Sequence, residues 1–250
     1  MAIRRVADSQ WHAIENERVV GSADVSDRPD GRSFVSIDSW HGSVFDQLAA
    51  AMVEDLAQPL YTVVDETDEQ IRSGWERVGF ATRRREWEYL VPTDPAVTGL
   101  GSTLPDDVAI LAAGTVQEGP LRALDRAIRD EVEASVGWQQ MPAEVIPRRD
   151  GDTLVDPSKY AVATQAGEYV GLIRVVQVTR LPRIGLLAVR SDRHRQGIAR
   201  ALLAHSLGVL HERGIRTAST EINESNAAAL ALFDGIGARR MSSNLELVLR

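Results

Sequence analysis

The feature that most constrains the fold is a sequence pattern that occurs twice. Residues 61–91 and residues 217–249 each predict a strand, a capped helix, a short turn around a glycine, an arginine pair and a final strand. The Val-Gly-Phe turn at 78–80 corresponds to the Ile-Gly-Ala turn at 236–238. An internal repeat of one supersecondary pattern predicts two related units that each combine helices with a sheet.

Charge and composition separate the two units. Residues 1–100 contain 18 acidic and 10 basic side chains, a balance of −8, whereas residues 101–250 contain 18 of each. The whole net charge of the chain therefore lies in its first part. Proline, glycine and threonine are concentrated in 91–107 without helical periodicity, which is typical of a linker. We predict a partial domain at 1–95, a linker at 96–107 and a complete domain at 108–250.

Composition excludes several classes of protein. With 44% hydrophobic and 26% charged residues, the chain has the profile of a soluble globular protein. No apolar run approaches the ~18 residues of a membrane helix, and the N-terminal MAIRRVADSQW lacks the apolar core of a secretory signal. Without cysteine there can be no disulfide, thiolate metal site or acyl-cysteine intermediate. Because the net charge is negative and the histidines show no metal-ligand spacing, we expect a cytoplasmic protein without membrane, nucleic-acid or metal partners.

Hydrophobic periodicity predicts strands and helices along both units. In the first part we predict strands at 11–20, 33–39, 60–65 and 82–91, and helices at 43–57 and 67–78. In the second part we predict strands at 108–113, 160–165, 168–178, 183–190, 215–222 and 244–250, and helices at 119–136, 197–213 and 224–236. We expect Asn223 to cap the last helix and Gly237 to end it.

The most informative segment is LAVRSDRHRQGIARALL at 187–203, which predicts a strand end, an arginine-rich turn, a glycine and a helix start. Backbone N–H groups at a helix N-terminus bind anions, and Gly197 lets a phosphate approach the backbone closely. Positive charge is concentrated there by Arg190, Arg193, Arg195 and Arg200. A diphosphate is the expected ligand, and a solvated basic helix start is the alternative. The spacing is neither a Walker A motif nor a dinucleotide fingerprint.

Together with the strand that ends in Thr-Glu-Ile-Asn and the helix after it, this loop resembles the GNAT superfamily of acetyl-CoA-dependent N-acetyltransferases. The hexapeptide HRQGIA at 194–199 matches the loop signature of the family except at His194, where the family has arginine or glutamine. The helix from Asn226 to Phe233 is most similar to that of the ribosomal-protein alanine N-acetyltransferases. The resemblance covers 108–250 and, more weakly, the first unit. It implies an α/β (α+β) tandem GNAT fold with mixed central sheets flanked by helices, an arrangement also seen in mycothiol synthases.

The resemblance implies a site for acetyl-CoA. The pantetheine arm would pair with the backbone of Leu187 and Val189, and an N–H near Ala188 or Val189 would face the thioester oxygen. The pyrophosphate would lie on the stretch that starts at Arg195, and Asn226 would sit near the arm. The residues assigned to the cosubstrate are Leu187, Ala188, Val189, Arg195, Gln196, Gly197, Ile198, Ala199, Arg200, Asn226 and Phe233.

The resemblance also assigns the proton-transfer groups. By its family position, Glu221 would take the proton of a primary amine, whose ammonium form has a pKa of ~10. An ordinary solvent-facing carboxylate at a strand end is the alternative for this residue. Many relatives have a tyrosine in place of Phe233 that is thought to protonate the leaving thiolate, and phenylalanine has no proton to give. Because cysteine is absent, direct attack in a ternary complex is the expected route.

The first unit lacks the residues that the resemblance assigns to the cosubstrate and to proton transfer. Gly42 remains at the loop position, but the arginines are absent, and Val63 aligns with Glu221. Residues 1–95 are therefore expected not to bind acetyl-CoA productively and to serve packing or substrate-side shaping.

The acceptor is expected to be a small-molecule or peptide amine. Trp138 and Gln139 are candidate contacts because they follow the first helix of the complete unit, and burial in the core is the alternative for both. A non-catalytic acyl-CoA-binding or interaction module is the alternative function for the whole chain.

Overall fold

The computed structural model describes residues 1–28, 30–101, 104–135, 137, 155–176 and 181–250. These residues divide into two compact units. Residues 1–86 and 242–250 form the first unit, and the described residues between 87 and 241 form the second. The first unit therefore includes the C-terminal end of the chain.

The first unit contains a mixed sheet and two helices. Its elements are the strands β1 (Ala2–Ala7), β2 (Gln10–Glu15), β3 (Arg18–Asp27), β4 (Ser33–Ser39) and β5 (Leu60–Asp65), the helices α1 (Gly42–Asp55) and α2 (Glu69–Arg77), the first part of β6 (Ala81–Pro92), and most of β12 (Arg239–Leu249). Strands β1 to β4 are antiparallel neighbours, and β12 pairs antiparallel with β5. Strand β5 runs parallel to β4, with the pairs Ser33–Leu60 and Phe34–Tyr61.

The start of this sheet differs from the sequence-based expectation. The single strand expected at 11–20 is wrong, because β2 ends and β3 begins within it. Asn16 and Glu17 join the two strands with φ angles of 49° and 62°. Two consecutive residues with positive φ are what a two-residue hairpin needs to match the twist of its strands. Strand β1 had no counterpart among the predicted elements.

The core of the first unit lies between the sheet and its helices. Helix α1 buries Leu48 and Met52 completely. Trp75 of α2 packs edge-on against Phe45 of α1, with ring centroids 5.0 Å apart. An aromatic pair of this geometry adds about 0.5–1.5 kcal/mol to the stabilisation from area burial, and it joins the two helices.

The second unit is built on a mixed sheet. Its elements are the second part of β6, α3 (Pro95–Thr98), β7 (Val108–Leu111), α4 (Glu118–Ser135), β8 (Tyr160–Gln165), β9 (Glu168–Val176), β10 (Arg183–Val189), α5 (Ile198–Glu212), β11 (Thr217–Asn223) and α6 (Ala227–Asp234). The strand order is β6-β11-β10-β9-β8-β7. Strands β7 to β10 are antiparallel neighbours, and β11 is parallel to β10.

Helices α4 and α5 pack on opposite faces of this sheet. Val162 of β8 belongs to the apolar cluster of α4, whereas its neighbour Ala163 belongs to the cluster of α5. Since successive side chains of a strand point to opposite faces, the two clusters lie on the two sides of the sheet. The expectation of mixed sheets flanked by helices is thus confirmed.

The boundaries of α6 correct one prediction. The helix was expected at 224–236 with Asn223 as its cap, but it covers Ala227–Asp234 and ends at Gly235 rather than Gly237. The cap is Asn226, whose side chain accepts a hydrogen bond from the N–H of Ala229 at 3.1 Å. Asn223 is the last residue of β11 and accepts from Ser225 instead.

Candidate active site

Strands β10 and β11 are parallel neighbours that separate after a short ladder. The pairs are Arg183–Ser219 and Ile184–Thr220, and both strands are described over their whole length. Thr220 Oγ1 also donates a hydrogen bond to Ile184 O at 3.0 Å. Beyond these pairs β10 continues to Val189 on its other neighbour alone. The predicted pairing of diverging parallel strands is confirmed, and it leaves an open backbone edge on β10.

A bulge in β10 determines which backbone groups face this open edge. Gly185 is the extra residue in β10, since Ile184 pairs with Val175 of β9 and Leu186 pairs with Arg174. Following the bulge, the pairing with β9 is regular to the end of β10.

The open edge carries the backbone of two predicted site residues. The N–H of Arg190 donates to Val170 O on β9 at 2.9 Å. Because backbone groups alternate in direction along a strand, those of Leu187 and Val189 point away from β9, toward the gap. Ala188 lies between them with its side chain on the α4 side. The geometry is therefore suited to pairing with an extended ligand along β10.

The loop after β10, residues 190–197, we call the glycine loop. It starts with a 3-10 turn at Ser191–Arg193 and ends at Gly197, the N-cap of α5. Arg195 and Gly197 both take left-handed backbone conformations, with φ of 62° and 81°. His194, which departs from the family signature, donates from Nε2 to Val189 O at 2.8 Å and thus ties the loop to β10.

The start of α5 is suited to an anion. Gly197 has no side chain, so no side-chain cap accepts the first N–H groups of the helix. The side chains of Arg195, Gln196 and Arg200 are exposed around this point, while that of Ile198 is buried in the core. Ala199 is half-buried between them. Free N–H groups, the helix dipole and nearby guanidinium groups together favour a phosphate.

Helix α4 holds the glycine loop through Glu131, a residue that sequence reasoning missed. Its carboxylate accepts hydrogen bonds from Arg190 Nε at 2.6 Å and from Ser191 N at 2.8 Å. Burial raises the pKa of this carboxyl, but the hydrogen bonds from Arg190 and Ser191 outweigh burial and lower it overall. Glu131 and Arg190 are separated by 59 residues, so no local pattern predicts the contact.

Glu221 lies on β11 directly after the last ladder pair. Its Oε2 accepts a hydrogen bond from Arg183 Nη2 at 2.8 Å, and its side chain is 28% exposed. The neighbouring residues Thr220 and Ile222 are buried. Glu221 is therefore a partly exposed, ion-paired carboxylate at the closed end of the gap, on the sheet face opposite α5.

Helix α6 carries the last two predicted residues. Asn226 is its N-cap, and Phe233 is 3% exposed within the core beside α5. Tyr89 of β6 lies beside Phe233, with ring centroids 6.4 Å apart. Its hydroxyl donates to Asp234 Oδ1 at 2.9 Å and accepts from Arg240 Nε at 2.6 Å, so it does not replace the missing tyrosine at position 233.

The structure thus brings most of the predicted site residues together along one path. Leu187 and Val189 line the gap, the glycine loop follows them, and Glu221 stands on the facing strand. Trp138 and Gln139 lie outside the described residues. Across the described ranges, no three His, Asp or Glu side chains are grouped as a metal site. None of the helices described here has the length and apolar character needed to cross a membrane.

Comparison with known proteins finds a similarity to one family in the part of the chain that contains the site. Residues 137–246 match the sequence model of the family described as Acetyltransferase (GNAT) domain. The match covers 110 of the 250 residues and includes the gap, the glycine loop and Glu221.

Two curated relatives and one solved structure extend the comparison. The [Ribosomal protein bS18]-alanine N-acetyltransferase of Escherichia coli (strain K12) is 47% identical over 51 residues, which are 20% of this chain and only 34% of that protein. A mycothiol acetyltransferase of Kytococcus sedentarius is 25% identical over 98% of this chain and 84% of its own. A tandem GNAT protein from the clavulanic acid biosynthesis pathway superimposes with a TM-score of 0.66 at 15% identity, covering 96% of this chain and 82% of that one. The last similarity shows that the fold extends beyond the GNAT domain to the chain as a whole.

Proposed function

We propose that this protein is an acetyl-CoA-dependent N-acetyltransferase that moves an acetyl group to a primary amine. The observation that carries the proposal is the open edge of β10, which leads without interruption into the glycine loop and the uncapped start of α5. A ligand with an extended amide-bearing arm and a diphosphate fits this sequence of features. The GNAT domain and the named acetyltransferase relatives favour catalysis over a purely binding role.

The backbone of β10 and the start of α5 would bind the cosubstrate. Leu187 and Val189 would pair with the pantetheine arm as an added strand does. The backbone N–H of Leu187, the gap-facing group nearer the bulge, would stabilise the oxyanion that develops on the thioester carbonyl. Of the two residues that the resemblance implied, Ala188 turns its N–H toward β9, and Val189 lies at the loop end of the gap. The free N–H groups that follow Gly197, with Arg195 and Arg200, would hold the pyrophosphate, and Gln196, Ile198 and Ala199 would supply the loop backbone around it. Asn226 and Phe233 would border the arm from α6.

The reaction we propose is direct attack in a ternary complex. The amine nitrogen forms a bond to the thioester carbon, the tetrahedral intermediate collapses, and the carbon–sulfur bond breaks to release the thiolate of CoA. Glu221 would accept the proton that the amine loses, directly or through water. Phe233 cannot protonate the thiolate, but a thiol has a pKa of ~8.5 and leaves without obligatory protonation. Water can then supply the proton that yields the free thiol.

We propose that the first unit does not share this activity. Its β4–α1 connection contains Trp40, His41 and Gly42 but none of the arginines of the glycine loop. Val63, the counterpart of Glu221, is 52% exposed and has no proton to exchange. The predicted domain at 108–250 would therefore be the sole transferase domain of a tandem chain, with 96–107 as the predicted linker to the partial domain at 1–95. The two compact units divide instead between residues 86 and 87, and residues 242–250 belong to the first unit.

The acceptor class and location follow from the chemistry. The relatives named above are called a ribosomal-protein alanine N-acetyltransferase and a mycothiol acetyltransferase, so a small-molecule or peptide amine is the proposed acceptor. We place the protein in the cytoplasm because that is where acetyl-CoA is available to it.

Titration with acetyl-CoA followed by a thiol-release assay on a panel of amines tests the proposal. We expect saturable binding of acetyl-CoA and release of CoA that depends on an amine. Glu221→Gln should lower kcat at neutral pH with little change in acetyl-CoA affinity, whereas the control Glu212→Gln, an exposed carboxylate on α5, should not. Absence of binding at millimolar acetyl-CoA would refute the proposal. Binding without CoA release from any amine would favour the non-catalytic module instead.

A further inference from the structure

The acceptor side of the GNAT domain contains an arginine that the proposed reaction does not use. Arg174 lies on β9, opposite Tyr160 of β8 on one side and Leu186 of β10 on the other. Leu186 packs with the apolar cluster of α4, so these three side chains share the sheet face that α4 covers. Glu221 projects from the same face two strands away. Arg174 is therefore on the side from which an acceptor can approach the gap.

The guanidinium of Arg174 rests on the bulge of β10. A Cβ atom added to Gly185 would lie 2.9 Å from Arg174 Nη2 and 3.4 Å from its Nε. The distance to Nη2 is shorter than van der Waals contact allows, so a side chain at position 185 would displace the guanidinium from this place. The position of the Arg174 side chain thus explains why a residue without a side chain occupies the bulge.

This bulge lies at the closed end of the gap, where the thioester of the cosubstrate would be placed. The glycine loop follows the C-terminal end of β10, and the ladder to β11 closes the gap at Ile184. An arm that starts at the loop must therefore run back along β10 toward Gly185. Residues 186–189 span about 13 Å at ~3.3 Å per residue, which brings the thioester end of an extended arm near the bulge.

Arg174 lacks a counter-charge among the residues that the structure describes. Its Nε is buried without a hydrogen-bond partner, and no ion pair within the described ranges involves its guanidinium. The nearby carboxylates are already engaged, because Asp125 accepts from Arg129 at 2.6 Å and Glu221 accepts from Arg183. Arg174 is half-buried, and a buried N–H without an acceptor is costly. A carboxylate that binds the guanidinium in its planar, two-pronged geometry satisfies Nε together with one Nη.

We propose that Arg174 binds a carboxylate of the acceptor, so that the substrate is a small amino acid rather than a plain amine. The inference rests on the proposed acetyl transfer and specifies its acceptor. The carboxylate is held at the bulge while the amino group of the same molecule faces the thioester and Glu221. The amino group and the carboxylate of the acceptor must then be close together, because the guanidinium of Arg174 lies against β10, the strand along which the thioester would lie.

Matched pairs of acceptors test this inference. The rate of CoA release is measured with L-alanine and L-alaninamide, and with glycine and glycinamide. The amide has the less basic amine, which favours it in intrinsic reactivity at neutral pH. We expect the enzyme nevertheless to prefer the carboxylate member by at least about tenfold in kcat/KM, the ratio that 1.4 kcal/mol of binding free energy gives. Aminomethylphosphonate serves as a third arm, and its preference over glycine would overturn the assignment of a carboxylate.

Substitution of Arg174 gives the second readout. Arg174→Met keeps an unbranched apolar stem and removes the guanidinium and its charge, so the preference for the carboxylate should fall to about one, mainly through KM. Arg174→Lys should restore part of it, and the control Arg213→Met, an exposed arginine at the end of α5, should leave it unchanged. A preference that survives in Arg174→Met overturns the inference. If that variant fails to fold, Gly185→Ala displaces the guanidinium instead and should reduce the preference in the same way.

Ligand binding separates this inference from the proposed function. Thermal shift with N-acetyl-L-alanine and with its carboxamide is measured on the wild type and on Arg174→Met. Selective stabilisation by the carboxylate, lost in the variant, supports the inference even if no amine releases CoA and the proposed transfer fails. Equal use of acids and amides by an active enzyme refutes the inference and leaves the transferase proposal intact.

Discussion

Replacing Glu131 should weaken acetyl-CoA binding although this residue does not belong to the proposed ligand site. Its carboxylate accepts one hydrogen bond from Arg190 and one from the backbone of Ser191, which are the first residues of the glycine loop. Helix α4 thereby fixes where the loop leaves β10. Glu131→Ala removes both contacts at once, and Glu131→Gln retains the size of the side chain and one acceptor oxygen.

The expected magnitude follows from the exposure of the two partners. A hydrogen bond to a charged group contributes about 1.5–3 kcal/mol, and exposed ion pairs contribute about 0.2–1 kcal/mol. The side chains of Glu131 and Arg190 are 26% and 38% exposed. We therefore assign about 1.4 kcal/mol to the two contacts together. If the loop must be ordered before the ligand binds, the competent population in Glu131→Ala falls by up to about tenfold, and Kd rises by that factor.

Isothermal titration calorimetry at pH 7.5 with acetyl-CoA measures this effect. The matched control is Asp130→Asn, which removes a neighbouring exposed carboxylate of α4 and the same charge. Because the folded-state pKa of Glu131 is lowered, its contribution is present above the ordinary glutamate pKa of ~4.3 and is lost as the pH falls through the lowered value. The reasoning is refuted if Kd in Glu131→Ala stays within twofold of the wild type, or if Asp130→Asn shows an equal loss.

Three further variants test other parts of the structure. Gly197→Ala places a side chain at a φ of 81°, which costs about 1–2 kcal/mol, and should raise the Kd for acetyl-CoA about tenfold in the same calorimetric assay; an unchanged Kd would contradict a role for this conformation. Phe233→Tyr adds a hydroxyl to a ring that is 3% exposed and should lower Tm by about 2–4 °C in thermal denaturation; an unchanged Tm would show that the hydroxyl finds a partner. In the first unit, Arg85 and Ser243 lower the pKa of Glu66, so Glu66→Gln should destabilise by up to about 1 kcal/mol at pH 7. The difference should shrink progressively as the pH falls below the ordinary glutamate pKa of ~4.3 and through the lowered value, as followed by urea unfolding; a difference that does not change with pH would exclude the ionised pair as the cause.

The secondary structure could be predicted where it depends on residues close in sequence. The turn of Ala166 and Gly167 is such a case, because glycine readily takes the positive φ that a tight turn needs. Asn16 and Glu17 adopt the same kind of turn without a glycine, and one asparagine within an apolar run was too weak a signal to divide the predicted strand. The predicted start of α6 was wrong for a related reason. Asn223 and Asn226 are both good caps, and only the extent of β11 decides that the second is used.

In the candidate site, too, the features that depend on residues close in sequence could be predicted, and the contacts between distant residues could not. The glycine loop could be predicted because its arginines, its glycine and the helix that follows are contiguous in sequence. The hydrogen bond between Glu131 and Arg190 could not, since it joins a helix face to a loop 59 residues away. The same holds for the guanidinium of Arg174 on Gly185, which depends on the register of β9 against β10. A bulge has no reliable sequence signature apart from a glycine within a strand.

Comparison of the two repeats shows which feature distinguishes the proposed active unit. In the first unit the parallel ladder of β4 and β5 also has only two pairs, at Ser33 and Phe34, so diverging strands occur in both units. Strand β4, however, pairs with β3 in unbroken register over its whole length, whereas β10 is interrupted at Gly185. A regular strand does not shift the phase of its backbone N–H groups, whereas a bulge does. The diverging strands alone therefore do not distinguish the two units; the bulge and the basic glycine loop do, and among the described residues only the second unit combines them.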